Sequence, residues 1–202
     1  MGNGKVDIGG WLSEAWALYK ANFGVLFVAT LVAGLLGVFT CGVLAGPLWA
    51  GLTLVILRLL RQEQPAPQIG DVFKGFDFFL QALFLAIVIG VAFAIAGWLP
   101  LVGIVAPTLL SPLVMFAMCL LADRKLDFWP AIQASCEKAK GDYISLLVLC
   151  LVAGLISAVG AILCGIGVFL TAPFGAITTV VAYRHMFGET SAVPEAPAAP
   201  QA

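Results

Sequence analysis

The chain has 202 residues, of which 62% are hydrophobic and only 10% charged, with a formal net charge of −1. A soluble globular domain carries about 25% charged residues, so this composition excludes an ordinary water-soluble fold. The net charge says nothing about partners, and no nucleic acid is expected among them.

The distribution of the charges says more than their sum. No Lys, Arg, Asp, Glu or His interrupts residues 21–57, 78–122 or 143–183, windows of 37, 45 and 41 residues. A charge at the centre of a bilayer costs at least a few kcal/mol. One straight helix of that length would run roughly 55–68 Å, about twice the hydrocarbon thickness. Each window is therefore expected to turn and come back. Long unbroken apolar runs favour helices over barrel strands, which alternate and are shorter.

In chain order, the first element is an amphipathic stretch over Asp7–Asn22, with Ile8, Trp11, Leu12, Ala15 and Tyr19 on one face. Spans are expected at about 23–39 and 44–61, turning near Thr40-Cys41-Gly42. A second amphipathic stretch, Ile69–Phe79, precedes spans at about 79–97 and 101–122 that turn near Gly97-Trp98-Leu99-Pro100. A third, Asp127–Asp142, has Asp127 as candidate N-cap and Trp129, Ile132, Cys136 and Ala139 on one face. Spans follow at about 143–163 and 167–186, turning near Cys164-Gly165-Ile166-Gly167. The Pro- and Ala-rich tail 189–202 is expected to be disordered.

The expected fold is thus an all-α membrane protein of six transmembrane helices, built as three hairpins in parallel repeats. A cytoplasmic amphipathic interfacial helix precedes each hairpin. The hairpins form one polytopic domain over residues 1–188, in units of about 7–61, 69–122 and 127–186. Leu31-Val32-Ala33-Gly34-Leu35 recurs as Leu151-Val152-Ala153-Gly154-Leu155. The second helix of each hairpin carries a small residue, Pro and a large apolar residue: Gly46-Pro47-Leu48, Ser111-Pro112-Leu113 and Ala172-Pro173-Phe174. Pro47, Pro112 and Pro173 are each expected to bend an even-numbered span. All ten Lys and Arg fall on one side, which the positive-inside rule makes cytoplasmic, with both termini there. The expected location is a cell membrane, a bacterial inner membrane. The residues before Ala21 carry Asp7 and Glu14 and no apolar stretch, so the first span is expected to direct insertion.

Trp11, Trp16, Tyr19 and Trp129 are the expected interfacial anchors. Arg58, Arg124, Lys125 and Arg184 are candidate lipid-headgroup contacts. Cys41 and Cys164 sit at two tips on the non-cytoplasmic side. They are read as unpaired, with a disulfide the candidate alternative. The one His, His185, excludes a two-His metal site and is read as a solvated helix-end residue. No nucleophile elbow surrounds Ser111, Ser145 or Ser157, and no phosphate-binding loop or dinucleotide fingerprint occurs. No cofactor or catalysis is expected. Without an intramembrane carboxylate, proton- or sodium-coupled transport is not expected either.

Certain motifs carry a family resemblance: Ala15-Trp16-x-Leu18-Tyr19-Lys20-x-Asn22-Phe23, Gly46-Pro47-Leu48, Phe73-Lys74-Gly75-Phe76-Asp77, and Asp123-Arg124 followed by Phe128-Trp129 and Lys140-Gly141. Over residues 7–187 the chain is similar to bacterial six-helix integral membrane proteins like the membrane domain found on some glycerophosphoryl diester phosphodiesterases. The resemblance implies a six-helix fold associated with lipid. It implies no catalysis, which in that family belongs to a separate soluble domain. Two functions are expected to compete. One is a non-enzymatic membrane protein that organises lipids or partner proteins, with membrane lipids, a membrane-protein partner or a second copy of itself as partners. The other is uncoupled transport or binding of a lipid or other hydrophobic molecule, in a cavity between the repeats near the prolines.

Overall fold

A computed structural model describes residues 7–40, 42–98, 105–162 and 166–188. They are all-helical, with no strand among the described residues. The candidate disulfide of Cys41 and Cys164, and the tail, lie outside them.

Helix α1 (Ile8–Ala21) starts at Asp7, whose carboxylate accepts the Gly10 N–H at 3.0 Å. It ends at Asn22, whose side-chain amide donates to the Leu18 carbonyl at 3.2 Å. The Asn22 carbonyl then accepts the first bond of α2 (Phe23–Phe39) from Leu26. One residue closes one helix and opens the next, and the two meet at 91°. Asp142 forms the same corner between α7 (Phe128–Gly141) and α8 (Tyr143–Ile162), at 105°. The first and third amphipathic stretches are therefore not straight extensions of the helices that follow.

Residues Ile69–Phe78, expected as α-helix, form a 3-10 helix running directly into α4 (Phe79–Gly97). Close packing on α3 (Ala45–Leu60) accounts for the difference. A Cβ on Gly51 would collide with the Val72 carbonyl oxygen, and one on Gly75 with the Pro47 carbonyl oxygen. Backbone touches backbone, so there is no room for the wider α-turn or for any side chain at these two positions.

The helix of the expected fourth span is interrupted. Its described part is α5 (Val105–Val114) and α6 (Ala117–Arg124), separated at Met115–Phe116. The final helix is α9 (Ile166–Phe187), with Pro173 inside it. Pro47 corrects an expectation: it is the third residue of α3, in the first turn, where a missing N–H costs no helix bond. It starts a helix rather than bending one. The break in the Pro112 helix comes three residues after that proline.

The core is built around α3, α6 and the second half of α9. Leu48, Leu52, Ile56, Phe116, Leu120, Leu121, Ile177 and Tyr183 are all buried there. Three amphipathic segments clasp this core: α1 packs on α9, the 3-10 helix on α3, and α7 on α5 and α6. The exterior is apolar, with Phe39, Leu80, Ile95, Trp98, Ile144 and Leu155 among the most exposed side chains. Such a surface marks a membrane or an interface rather than water. The stretches Ile69–Gly97 and Val105–Arg124 are each long and apolar enough to cross a membrane. Counting each bent pair, α1–α2 and α7–α8, as one span raises the number to four.

Candidate functional site: a cleft between the proline-bearing helices

Helices α3, α6 and α9 end together, and their basic residues tie that end. Arg61 donates to Asp123 at 2.6 Å, and the Tyr183 hydroxyl donates to the other Asp123 oxygen at 2.9 Å. Arg58 bridges Glu63 and Asp71 at 3.0 and 2.8 Å. Arg184 pairs with Glu14 and also donates to the Leu60 carbonyl. Asp71 also pairs with the Lys74 ammonium at 2.7 Å and accepts the Gln68 backbone N–H at 2.9 Å.

These pairings revise several expected roles. Arg58 and Arg184, candidate headgroup contacts, are engaged by protein carboxylates. Arg124 donates to the Phe187 carbonyl and lies over its ring at 5.4 Å. Lys125 is exposed, in the left-handed conformation that closes α6. His185, expected to be a solvated helix-end residue, is exposed, and its ring also stacks on Trp11 at 5.7 Å with its Nε2 2.9 Å from Glu14. Trp11 and Tyr19, expected at headgroup depth, are buried against α9, at 5% and 7% exposure. Tyr19 donates to the Leu170 carbonyl at 2.9 Å. Trp16 and Trp129 are the half-exposed ones, at 50% and 55%. The apolar face of α1 is real, but protein covers it.

Away from the charged end, the helices leave a cleft of two neighbouring pockets, an inner and an outer lobe of about 300 and 420 Å³, that share five lining residues. Trp49, Val114, Met115, Ala176 and Thr179 line both lobes. Thr53, Ala86, Ile89, Met118 and Cys119 complete the inner lobe. Phe93, Ser111, Cys150, Gly154, Ser157, Ala172 and Gly175 are among those completing the outer one. Sizes of this order suit a small apolar ligand.

The lining follows the proline motif. Two residues after each proline stand Trp49, Val114 and Gly175, and six after stand Thr53, Met118 and Thr179. All six line the cleft. Helices α3 and α9 and the α5–α6 segment thus present corresponding positions to the cleft, Met118 lying in α6 beyond the break. The cleft hydroxyls are turned back onto their own helices: Thr53 to Trp49 O, Ser111 to Thr108 O, Ser157 to Ala153 O and Thr179 to Gly175 O, at 2.8–3.1 Å. The Cys150 and Met115 sulfurs lie 3.7 Å apart. With those four hydroxyls bonded and no ionisable carboxylate or amine in its lining, the cleft suits hydrocarbon rather than a headgroup.

Ser111 also serves the helix. Its hydroxyl takes the Thr108 carbonyl, the one Pro112 leaves without an amide. Among the described residues no group of three or more His, Cys, Asp or Glu is placed to hold a metal ion. No family model, curated protein or solved structure matches the chain.

Sequence reasoning missed Asp123, Ser135, Tyr143 and Tyr183 as partners across elements. Three of them stand at the edges of the charge-free windows: Asp123 just after the second, and Tyr143 and Tyr183 as the first and last residues of the third. That position was the available signal.

Proposed function

We propose that this chain is a six-span membrane protein of three parallel hairpins that binds the acyl chain of a lipid, or a similarly apolar molecule, in the cleft between its repeats. The observation that carries this reading is the cleft itself, lined by corresponding residues of three proline-bearing helices with their hydroxyls already bonded. A bundle packed solid between the repeats would have favoured a purely organising role, and the cleft favours binding. The common end of α3, α6 and α9, where the arginines gather, is assigned to the cytoplasmic side with both termini, in a bacterial inner membrane. The resemblance to the phosphodiesterase-associated membrane domain agrees with a lipid ligand and adds no catalytic step.

The test is photolabelling in nanodiscs of bacterial lipid containing a phospholipid with a diazirine in its acyl chain. Label is expected on cleft residues of α5, α8 and α9. Gly154 has open space around the place of a Cβ, so Gly154→Phe fills the outer lobe without forcing the backbone. It is expected to cut cleft labelling about tenfold, the effect of some 1.4 kcal/mol. Label spread evenly over the exposed face of α4, unchanged by Gly154→Phe, would sink the reading.

A further inference from the structure

The break between α5 and α6 is filled by a side chain from another helix. A continuous helix would bond the Phe116 N–H to Pro112 and the Ala117 N–H to Leu113. Instead the Ser135 hydroxyl of α7 donates to the Leu113 carbonyl at 2.7 Å and accepts the Phe116 N–H at 3.3 Å. Ser135 is fully buried, so water has no route to replace it. A side chain inserted into the ladder is a recognised cause of helix distortion, here the interruption at Met115–Phe116 within a stretch that otherwise runs as one apolar helix. One turn earlier, the Tyr143 hydroxyl at the α7–α8 corner donates to the Leu109 carbonyl at 2.6 Å. Ser135 of α7 therefore holds both the end of α5 and the residue that opens α6, and Tyr143 of α8 holds α5 one turn earlier. Both sides of the break also line the cleft, Ser111 and Val114 before it and Met118 and Cys119 after it.

We propose that Ser135, helped by Tyr143, is a positioning residue that sets the angle between α5 and α6 and so controls how fast an apolar ligand enters and leaves the cleft. The inference rests on the cleft being the ligand site. It adds a regulator, the seating of α7. Without the Ser135 hydroxyl, the Phe116 N–H and Leu113 carbonyl lose their shared partner and the hinge opens more often. Entry and exit then quicken together, while the cleft that receives the ligand is unchanged.

The experiment uses the full chain in nanodiscs with Trp49 as sole tryptophan, the other four replaced by Phe. A brominated long-chain fatty acid is the probe, because Trp49 borders both lobes and bromine quenches it on contact. With Ser135→Ala, association and dissociation are each expected to rise about fivefold, the worth of roughly one hydrogen bond, with the dissociation constant changed less than about twofold. Hydrogen exchange at Phe116 and Ala117 should quicken in parallel. Tyr143→Phe keeps the ring and loses one bond at the protein edge, so it gives the same direction, about twofold, in a variant that folds normally. Unchanged rates in both variants, with wild-type Trp49 quenched, would overturn this proposal alone. A weakened affinity with an unchanged association rate would overturn it too, by marking Ser135 as merely structural. Failure of the probe to quench wild-type Trp49 would overturn the cleft reading beneath it.

Discussion

Gly51→Ala is expected to abolish the folded state, or to lower its stability by more than about 3 kcal/mol. The added Cβ meets the Val72 carbonyl oxygen well inside van der Waals contact, and the carbonyl cannot turn away as a flexible side chain would. The 3-10 helix must then lift from α3, breaking the Gly75–Pro47 contact and the Arg58–Asp71 ion pair with it. Gly75→Ala should do the same from the other side. Gly24 and Gly90 are the controls. Each lies in a helix where an added Cβ would meet nothing within 4 Å, so Ala there should be neutral or gain up to about 1 kcal/mol of helix propensity. Thermal unfolding in mild detergent separates the two classes. Equal behaviour of Gly51→Ala and Gly90→Ala would show that the seam is not this tight.

Arg61→Met is expected to cost about 3–5 kcal/mol, because it leaves the Asp123 carboxylate buried without its cation. The Asp123 side chain is 5% exposed and Arg61 is 30% exposed, so the acid is the group that water cannot rescue. The informative result is the double variant. Arg61→Met with Asp123→Asn removes the stranded charge and keeps an acceptor for the Tyr183 hydroxyl. It should recover most of the loss and be more stable than Arg61→Met alone. Simple additivity would show that Arg61 acts through its packing on neighbouring helix ends and not through Asp123.

Much of the helix layout was legible in the charge pattern. The limits of α2 and α4 coincide with those expected, and α3, α8 and α9 begin or end within a residue or so of theirs. Apolar windows bounded by charge leave little freedom over where a helix can run. The amphipathic segments were harder. Periodicity shows which face of α1 is apolar, and does not show whether lipid or α9 covers it. Trp11 and Tyr19 therefore read as interfacial although both are buried in protein. Pro112 announces the loss of one helix bond. The break at Met115–Phe116 depends on Ser135, which reaches it from another helix, and no local pattern encodes that meeting. Asp123 reads as part of a polar connector because its partners, Arg61 and Tyr183, lie some sixty residues away on either side. The cleft was foreseeable only as a place, near the prolines. Its lining became visible once three helices with the same motif were seen to face one space.

The measurement closest to the central claim is a topology map of the hairpins in living bacteria, with paired reporters that are active on opposite sides of the membrane. Fusions after Arg61, Lys125 and His185 should all report the cytoplasm. Fusions at Gly42, Leu99 and Gly165 should all report the far side. That outcome places the arginine-tied ends of α3, α6 and α9 together on the cytoplasmic face, with the cleft between them at membrane depth. A far-side signal from Lys125 would separate α6 from the other two and contradict the three-hairpin arrangement on which the cleft depends.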